Sequence, residues 1–302
     1  MLSRIAESFF WIGRYLERAH ASARMVAEHH QLMVEEAPAD EAAACAMLLD
    51  ALSLSDMSAE GSVDLVSTVL GTPERSSTVA GAIAAARANA LAVRDVLSVE
   101  VFEALNAAHL SVVRGLGLAR VDSPGVALHR VVERLLVVHG VIAWAMPRDE
   151  AYHFLVLGRS LERIDMTARL LAVQHDALWP ESGPVATLRS AAAHSAYLRR
   201  ASVDGDGVRE FLVLDPDFPR SMRRSAIEAE DAVRSIMALG AGGGTELLRE
   251  VGMLRSSLEF AVNPSPDDVD RLAEQARVAA VTASDIADAA FFRQSGTIVW
   301  SH

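Results

Sequence analysis

Apolar residues return every three or four positions from the start of the chain. Leu2, Ile5, Phe9, Ile12, Leu16, Ala19, Ala23 and Val26 fall on one face when wound at the helical repeat. The same periodicity predicts further helices near 40–55, 58–70, 77–97, 98–119, 124–146, 149–178, 184–202, 221–239, 245–261 and 266–292, and no strand pattern competes. Ala37-Pro38, Gly71-Thr72-Pro73, Ser123-Pro124-Gly125, Met146-Pro147, Trp179-Pro180 and Asn263-Pro264 punctuate the helices as short turns. Asp204 to Gly207 and Gly240 to Gly244 are expected to be the most flexible loops. The fold class is therefore all-α.

One phrase occurs twice. GRYLERAHASAR, Gly13 to Arg24, returns as GRSLERIDMTAR, Gly158 to Arg169, an offset of 145 residues (162 − 17). Phe9/Phe154, Val63/Val208, Arg75/Arg220 and Ser76/Ser221 keep the same offset. Two long copies predict a pseudo-symmetric bundle from an internal duplication rather than a solenoid. The expected organisation is one helical domain over 1–302, with repeats of approximately 1–146 and 147–292 and a tail at 293–302. A short Pro-Arg-Asp turn at the join makes no flexible linker. In the tail, Val299 and Trp300 could tuck against the body or a partner.

On a helical wheel Gly13, Glu17, His20 and Arg24 form a stripe beside the apolar face, and Gly158, Glu162, Asp165 and Arg169 repeat it. Glycine lets another helix approach, and charges on the same line then lose water, so they must be paired or bind something. Two readings follow. Glu17 and Glu162 each meet an arginine of a neighbouring helix and lock the register of the two long helices. Alternatively, arginines grip an anionic ligand while Glu17 or Glu162 binds an amine or acts as general acid/base. Arg14, Arg18, Arg159 and Arg163 lie toward the polar side, where solvated surface is the plain expectation. Arg75-Ser76 and Arg220-Ser221 precede predicted helices, so each serine can cap a helix and each arginine can assist an anion there.

Composition narrows the chemistry. The 302 residues are 51% hydrophobic, with few aromatics, which favours close-packed helices. A net charge of −12 argues against nonspecific nucleic-acid binding. Cys45 is the only cysteine, which excludes an intrachain disulfide and a thiolate metal cluster and fits a reducing compartment. Met1 runs directly into an amphipathic pattern without the features of a secretory signal, so a cytoplasmic location is expected. The longest apolar candidate, Val131 to Met146, holds Glu133, Arg134 and His139, is shorter than the ~20 residues of a membrane span, and is expected to be a buried helix.

Two Glu-x-x-His patterns, Glu17/His20 and Glu150/His153, raise the alternative of a carboxylate-bridged metal bundle. They occupy different positions in the repeat, so the expectation is no metal site. His29-His30 and His302 are too isolated to make one. There is no GxxxxGK[ST] loop and no GxSxG motif, and the glycines at 240–244 lack a strand context and a lysine.

The phrases MLSRIAESFFWIGRYLERAHASAR, ARANALAVRDVLSVEVFEALN and FLVLGRSLERIDMTARLL together resemble the alpha-E domain family of bacterial all-helical proteins, over essentially the whole chain. The resemblance implies association with, or fusion to, a circularly permuted ATP-grasp ligase, often beside a transglutaminase-like peptidase. It implies work on amide-linked peptides, with ATP and Mg²⁺ on the partner ligase and no cofactor bound directly. Carried over residue by residue, it covers Ser3, Arg4, Glu7, Trp11, Gly13, Arg14, Glu17, Arg18, Arg24, Arg87, Asn89, Arg94, Glu100, Gly158, Arg159, Glu162, Arg163, Asp165, Arg169, Arg220 and Ser221. His20 stands where the family commonly has an acidic residue, and Ala88 and Leu91 interrupt a charged helix.

The expected function is a helical accessory or cocatalytic subunit of an amide or peptide ligase, positioning an acidic or peptide-like substrate. Arg14, Arg18, Arg24, Arg94, Arg163, Asp165, Arg169, Arg220 and Ser221 are the candidate substrate contacts, with Glu17 and Glu162 as candidate catalytic groups. The alternatives are a stand-alone amide-processing enzyme built on the Glu/Arg clusters and the metal-binding bundle. Nucleic acid and membrane are not expected partners.

Overall fold

A computed structural model describes residues 3–118, 123–173 and 175–293. Leu2, Val299, Trp300 and His302, and with them nearly all of the expected tail, lie outside the described residues. Among the described residues all regular structure is helical: α1 Ser3–Glu35, α2 Glu41–Ala51, α3 Ser62–Gly71, α4 Val79–Ala92, α5 Val99–Leu118, α6 Pro124–Ala145 and α7 Glu150–Ala172. There follow α8 His175–Leu178, α9 Gly183–Ser190, α10 His194–Tyr197, α11 Gly205–Leu214, α12 Met222–Ala238, α13 Thr245–Glu259 and α14 Pro266–Ala287, closed by a π-helical turn at Asp288–Phe292.

The two longest apolar stripes find each other. Gly13 packs against Leu155 and Arg159 and Glu17 meets Arg163, so α1 and α7 run parallel and in register, and further along His29 meets His175 at the start of α8. α4 and α6 flank α1, while α12 and α14 flank α7. Buried apolar residues from Ala6 to Phe292 join in one core that crosses the expected repeat boundary. Corresponding helices start 142 to 147 residues apart (266 − 124 for α14 and α6; 150 − 3 for α7 and α1). Duplication is a statement about ancestry; what the fold adds is the parallel contact itself.

Glycine decides how close that contact is. A Cβ on Gly13 would lie 2.1 Å from the Leu155 carbonyl oxygen, and one on Gly158 would lie 2.1 Å from that of Phe10. The backbones therefore touch where any side chain would part them. Phe10, Phe154, Phe291 and Phe292 seal the end of the pair beside this crossing, with neighbouring ring centroids 5.3–5.8 Å apart.

Several expectations are corrected. Asp204 to Gly207 is no loop: the Asp204 carboxylate accepts the Gly207 amide at 2.7 Å and caps α11, whose apolar residues Val208, Phe211, Leu212 and Val213 are buried. The single helix expected over 184–202 is broken where Ala192 takes a left-handed backbone (φ 56°), with the Ala193 amide returning to the Leu188 carbonyl at 2.7 Å. The helix over 149–178 ends at Ala172. Thr78, not Ser76, caps α4, accepting from Gly81 at 3.0 Å. The apolar run of α6 buries Val131, Leu135, Val138 and Ile142 but turns Leu136, Val137 and Trp144 outward, with Trp144 93% exposed. Among the described residues no helix is long and apolar enough to cross a membrane.

Candidate functional site

The repeated Glu-Arg dipeptides lie just beyond the glycine crossing, where parallel, in-register helices bring each dipeptide opposite the other. Glu162, 0% exposed, accepts from Arg14 Nε at 2.6 Å and from Arg18 Nε at 2.5 Å. Glu17, likewise 0% exposed, accepts from Arg163 Nη2 at 2.9 Å, and Arg220 Nη2 comes within 2.6 Å of its other oxygen. Thus Arg18 of α1 serves the glutamate of α7, and Arg163 of α7 serves the glutamate of α1.

Neighbouring elements finish the lock. Ser284 of α14 accepts from Arg14 Nη1 at 2.6 Å, the Pro219 carbonyl accepts from Arg163 Nη1 at 2.8 Å, and Glu228 of α12 lies 3.4 Å from Arg159 and 3.6 Å from Arg163. Arg14 and Arg18 also lie over the Trp11 and Tyr15 rings, at 5.4 and 5.6 Å. The expectation of solvated surface for these arginines is therefore overturned: Arg14 and Arg163 are buried, and Arg18 and Arg159 are mostly covered. α12 and α14 lie against α7 and cover what a single-helix wheel leaves open.

Burial alone would raise both carboxyl groups. At Glu17 the charges of Arg163 and Arg220 overcome it and hold the group well below the usual range, and Arg14 and Arg18 hold Glu162 below its ordinary value. His20 and His139 face each other beside Glu17 with ring centroids 5.5 Å apart. Burial holds His139 down at about 4; burial and then Arg220 hold His20 well below its ordinary value. Both are neutral near pH 7.

The other expected residues scatter. Asp165 pairs with Arg169 at 2.7 Å, and Arg169 reaches the Ala51 carbonyl at 3.0 Å, tying α7 to the end of α2. Ser221 caps α12 through the Arg224 amide at 3.0 Å and also binds the Asp215 carbonyl. Arg24 donates to the Ser190 carbonyl at 3.0 Å and to that of Arg189, at the C-terminus of α9. Arg75, the counterpart of Arg220, instead pairs with Asp56 at the surface, 2.7 Å away. Arg94 lies over the Phe102 ring, 5.2 Å from its centroid. Glu150 starts α7, thirteen residues (163 − 150) before the Arg163 that meets Glu17, or about 20 Å of helix. The two Glu-x-x-His pairs therefore do not meet, and among the described residues no group of three or more His, Cys, Asp or Glu is placed to hold a metal.

Beyond the lock, α1 opens onto solvent. A groove of about 720 Å³ runs between α1, the start of α6 and the end of α9, lined by residues including Arg24, Glu28, Gln31, His129, Arg130 and Arg189. Glu28 and Arg189 escaped the sequence analysis because nothing in the repeated phrase marks them. Position 28 lies four residues past Arg24 on the same stripe, and that spacing was the available signal.

Residues 1–292 match the model of the Alpha-E family, described as a predicted alpha-helical domain with a conserved ER motif. The chain belongs to this family. Glu17-Arg18 and Glu162-Arg163 are dipeptides of that kind, and here they complete each other across the crossing. No curated protein and no solved structure matches the chain.

Proposed function

We propose that this protein is a helical accessory subunit of an ATP-grasp amide or peptide ligase that holds a peptide-like substrate while the ligase supplies the ATP and Mg²⁺ chemistry. The observation that carries this reading is the closure of Glu17 and Glu162. A general acid or base must come within hydrogen-bond reach of substrate and exchange a proton near the working pH. These two carboxylates are fully covered, kept ionised and each engaged by two arginines. They hold helices together, which leaves binding and positioning to the open groove. Dependence on ATP puts the pair in the cytoplasm, and a transglutaminase-like peptidase is the further partner proposed.

The test is co-purification with the ATP-grasp ligase, followed by amide formation with and without this chain. The expected result is a stable complex and a product formed efficiently only when both are present. Peptide turnover by this chain alone would overturn the assignment.

A further inference from the structure

Two grooves share one ridge of α1. The second, about 360 Å³, lies toward the start of α9 and is lined by Leu32, Glu35, Glu181, Ser182 and Val185 among others. Glu28, Gln31 and Arg189 line both, so the two form one trough crossing α1 from α6 to α9.

Glu28 stands in the middle of it. Its carboxylate is half-buried and, among the described residues, has no hydrogen-bond or ion-pair partner, although Arg24 and Arg189 are close enough to act on it through space. Arg24 is committed to the end of α9 through Nε and Nη2, and Gln31 to Glu35 at 2.6 Å. The Arg130 and Arg189 side chains, in contrast, carry no such bond among the described residues, and both line the trough. Burial pushes the Glu28 carboxyl up and the Arg24 guanidinium down, as expected of charges short of water.

The signs of the lining choose the ligand. Arg24, Arg130 and Arg189 alternate with Glu28, Glu35, Glu133 and Glu181, so a polyanion would meet as much repulsion as attraction. A chain bearing both signs meets a partner for each. Two grooves joined across α1 suit an extended backbone rather than a compact metabolite.

We propose that this trough binds an extended peptide through a free amino group on Glu28 and a carboxylate on Arg130 and Arg189. The proposal takes its purpose from the accessory reading above and names that reading's substrate class, but its geometry stands without the ligase.

Titration calorimetry on the full chain tests it, with a short peptide bearing a free amino terminus and one glutamate, its N-acetylated form, and polyglutamate. The free-amine peptide is expected to bind, and acetylation to weaken it roughly tenfold or more, as loss of a charge-assisted hydrogen bond does. Glu28→Gln, near-isosteric and partly exposed, should keep the fold and abolish the difference between the two peptides. Arg189→Ala should weaken both. Equal binding of the acetylated peptide, a preference that survives Glu28→Gln, tightest binding of polyglutamate, or no peptide binding at all would each overturn the site. Peptide binding without ligase association would overturn only the accessory reading, and ligase association without peptide binding only the trough.

Discussion

Arg163 reaches from α7 to Glu17 of α1 at 2.9 Å, and Arg18 reaches from α1 to Glu162 of α7 at 2.5 Å, so each Glu-Arg dipeptide is completed by the other. This reciprocity follows from two helices that run parallel, in register and in backbone contact. A lone charged pair on one helix would be solvated. Here its partner arrives only when the other helix is docked, which makes the charges markers of correct pairing as well as glue.

Close approach at the glycines comes first in that account. Gly13→Ala and Gly158→Ala each place a methyl group against a fixed carbonyl and are expected to cost roughly 1–3 kcal/mol as the helices are forced apart. Gly140→Ala, whose added carbon would meet nothing within 4 Å, should instead stabilise α6 by up to about 1 kcal/mol. Urea midpoints for the three variants decide it: equal losses at all three would remove the crossing as a special point.

A second pair of histidines sets an acid limit. His29 Nδ1 lies 3.4 Å from His175 Nε2, and His175 Nδ1 lies 3.3 Å from the Thr187 hydroxyl. Burial, then His175, holds His29 at about 3, and burial holds His175 at about 4, against an ordinary value of 6.5. Below pH 6.5 the unfolded chain takes up protons that the folded chain refuses until about pH 4. Stability from this pair is therefore full above 6.5 and declines as pH falls through that window, by up to about 1.4 kcal/mol per pH unit per histidine. Glu17 and Glu162, held low, add a further loss at still lower pH. The urea midpoint should fall between about pH 7 and pH 5, and His29→Leu should flatten the slope. A flat profile in the parent chain would show that the pair is not buried and neutral.

The stripe of Gly13, Glu17, His20 and Arg24 was legible because helical spacing alone puts these residues on one line, and glycine on such a line signals close approach. The burial of Arg14, Arg18 and Arg163 was not legible. It depends on α12 and α14 lying against α7, and a single-helix wheel holds no information about which neighbours cover it. Helix α11 was missed because Asp204-Gly205-Asp206-Gly207 has the composition of a loop, while its meaning lies in one carboxylate placed three residues before an open amide. Glu28 was invisible for the opposite reason: its significance is that, among the described residues, it has no hydrogen-bond or ion-pair partner, which only the assembled α1, α6 and α9 reveal.

The caps are separable from the lock. Asp204→Ala and Ser221→Ala remove side chains that accept from the Gly207 and Arg224 amides, and each should cost about 1 kcal/mol. Hydrogen exchange should show the loss as faster opening of the first turn of α11 or α12, with α1 and α7 unchanged. Faster exchange spread over α1 and α7 would mean that these caps belong to the central pairing.

A double-mutant cycle on Glu17→Gln and Arg163→Met by urea unfolding reads the reciprocal lock itself. Each single change breaks a buried pair, leaving Arg163 with only Glu228 at 3.6 Å or Glu17 with only Arg220 at 2.6 Å as counter-charge among the described residues, and is expected to cost up to roughly 3–5 kcal/mol. The double variant should lose less than the sum, with a coupling of at least about 1 kcal/mol, and should bind the free-amine peptide as the parent does. Additive losses, or variants of unchanged stability that no longer bind peptide, would contradict the lock and return Glu17 to the list of ligand-contacting groups.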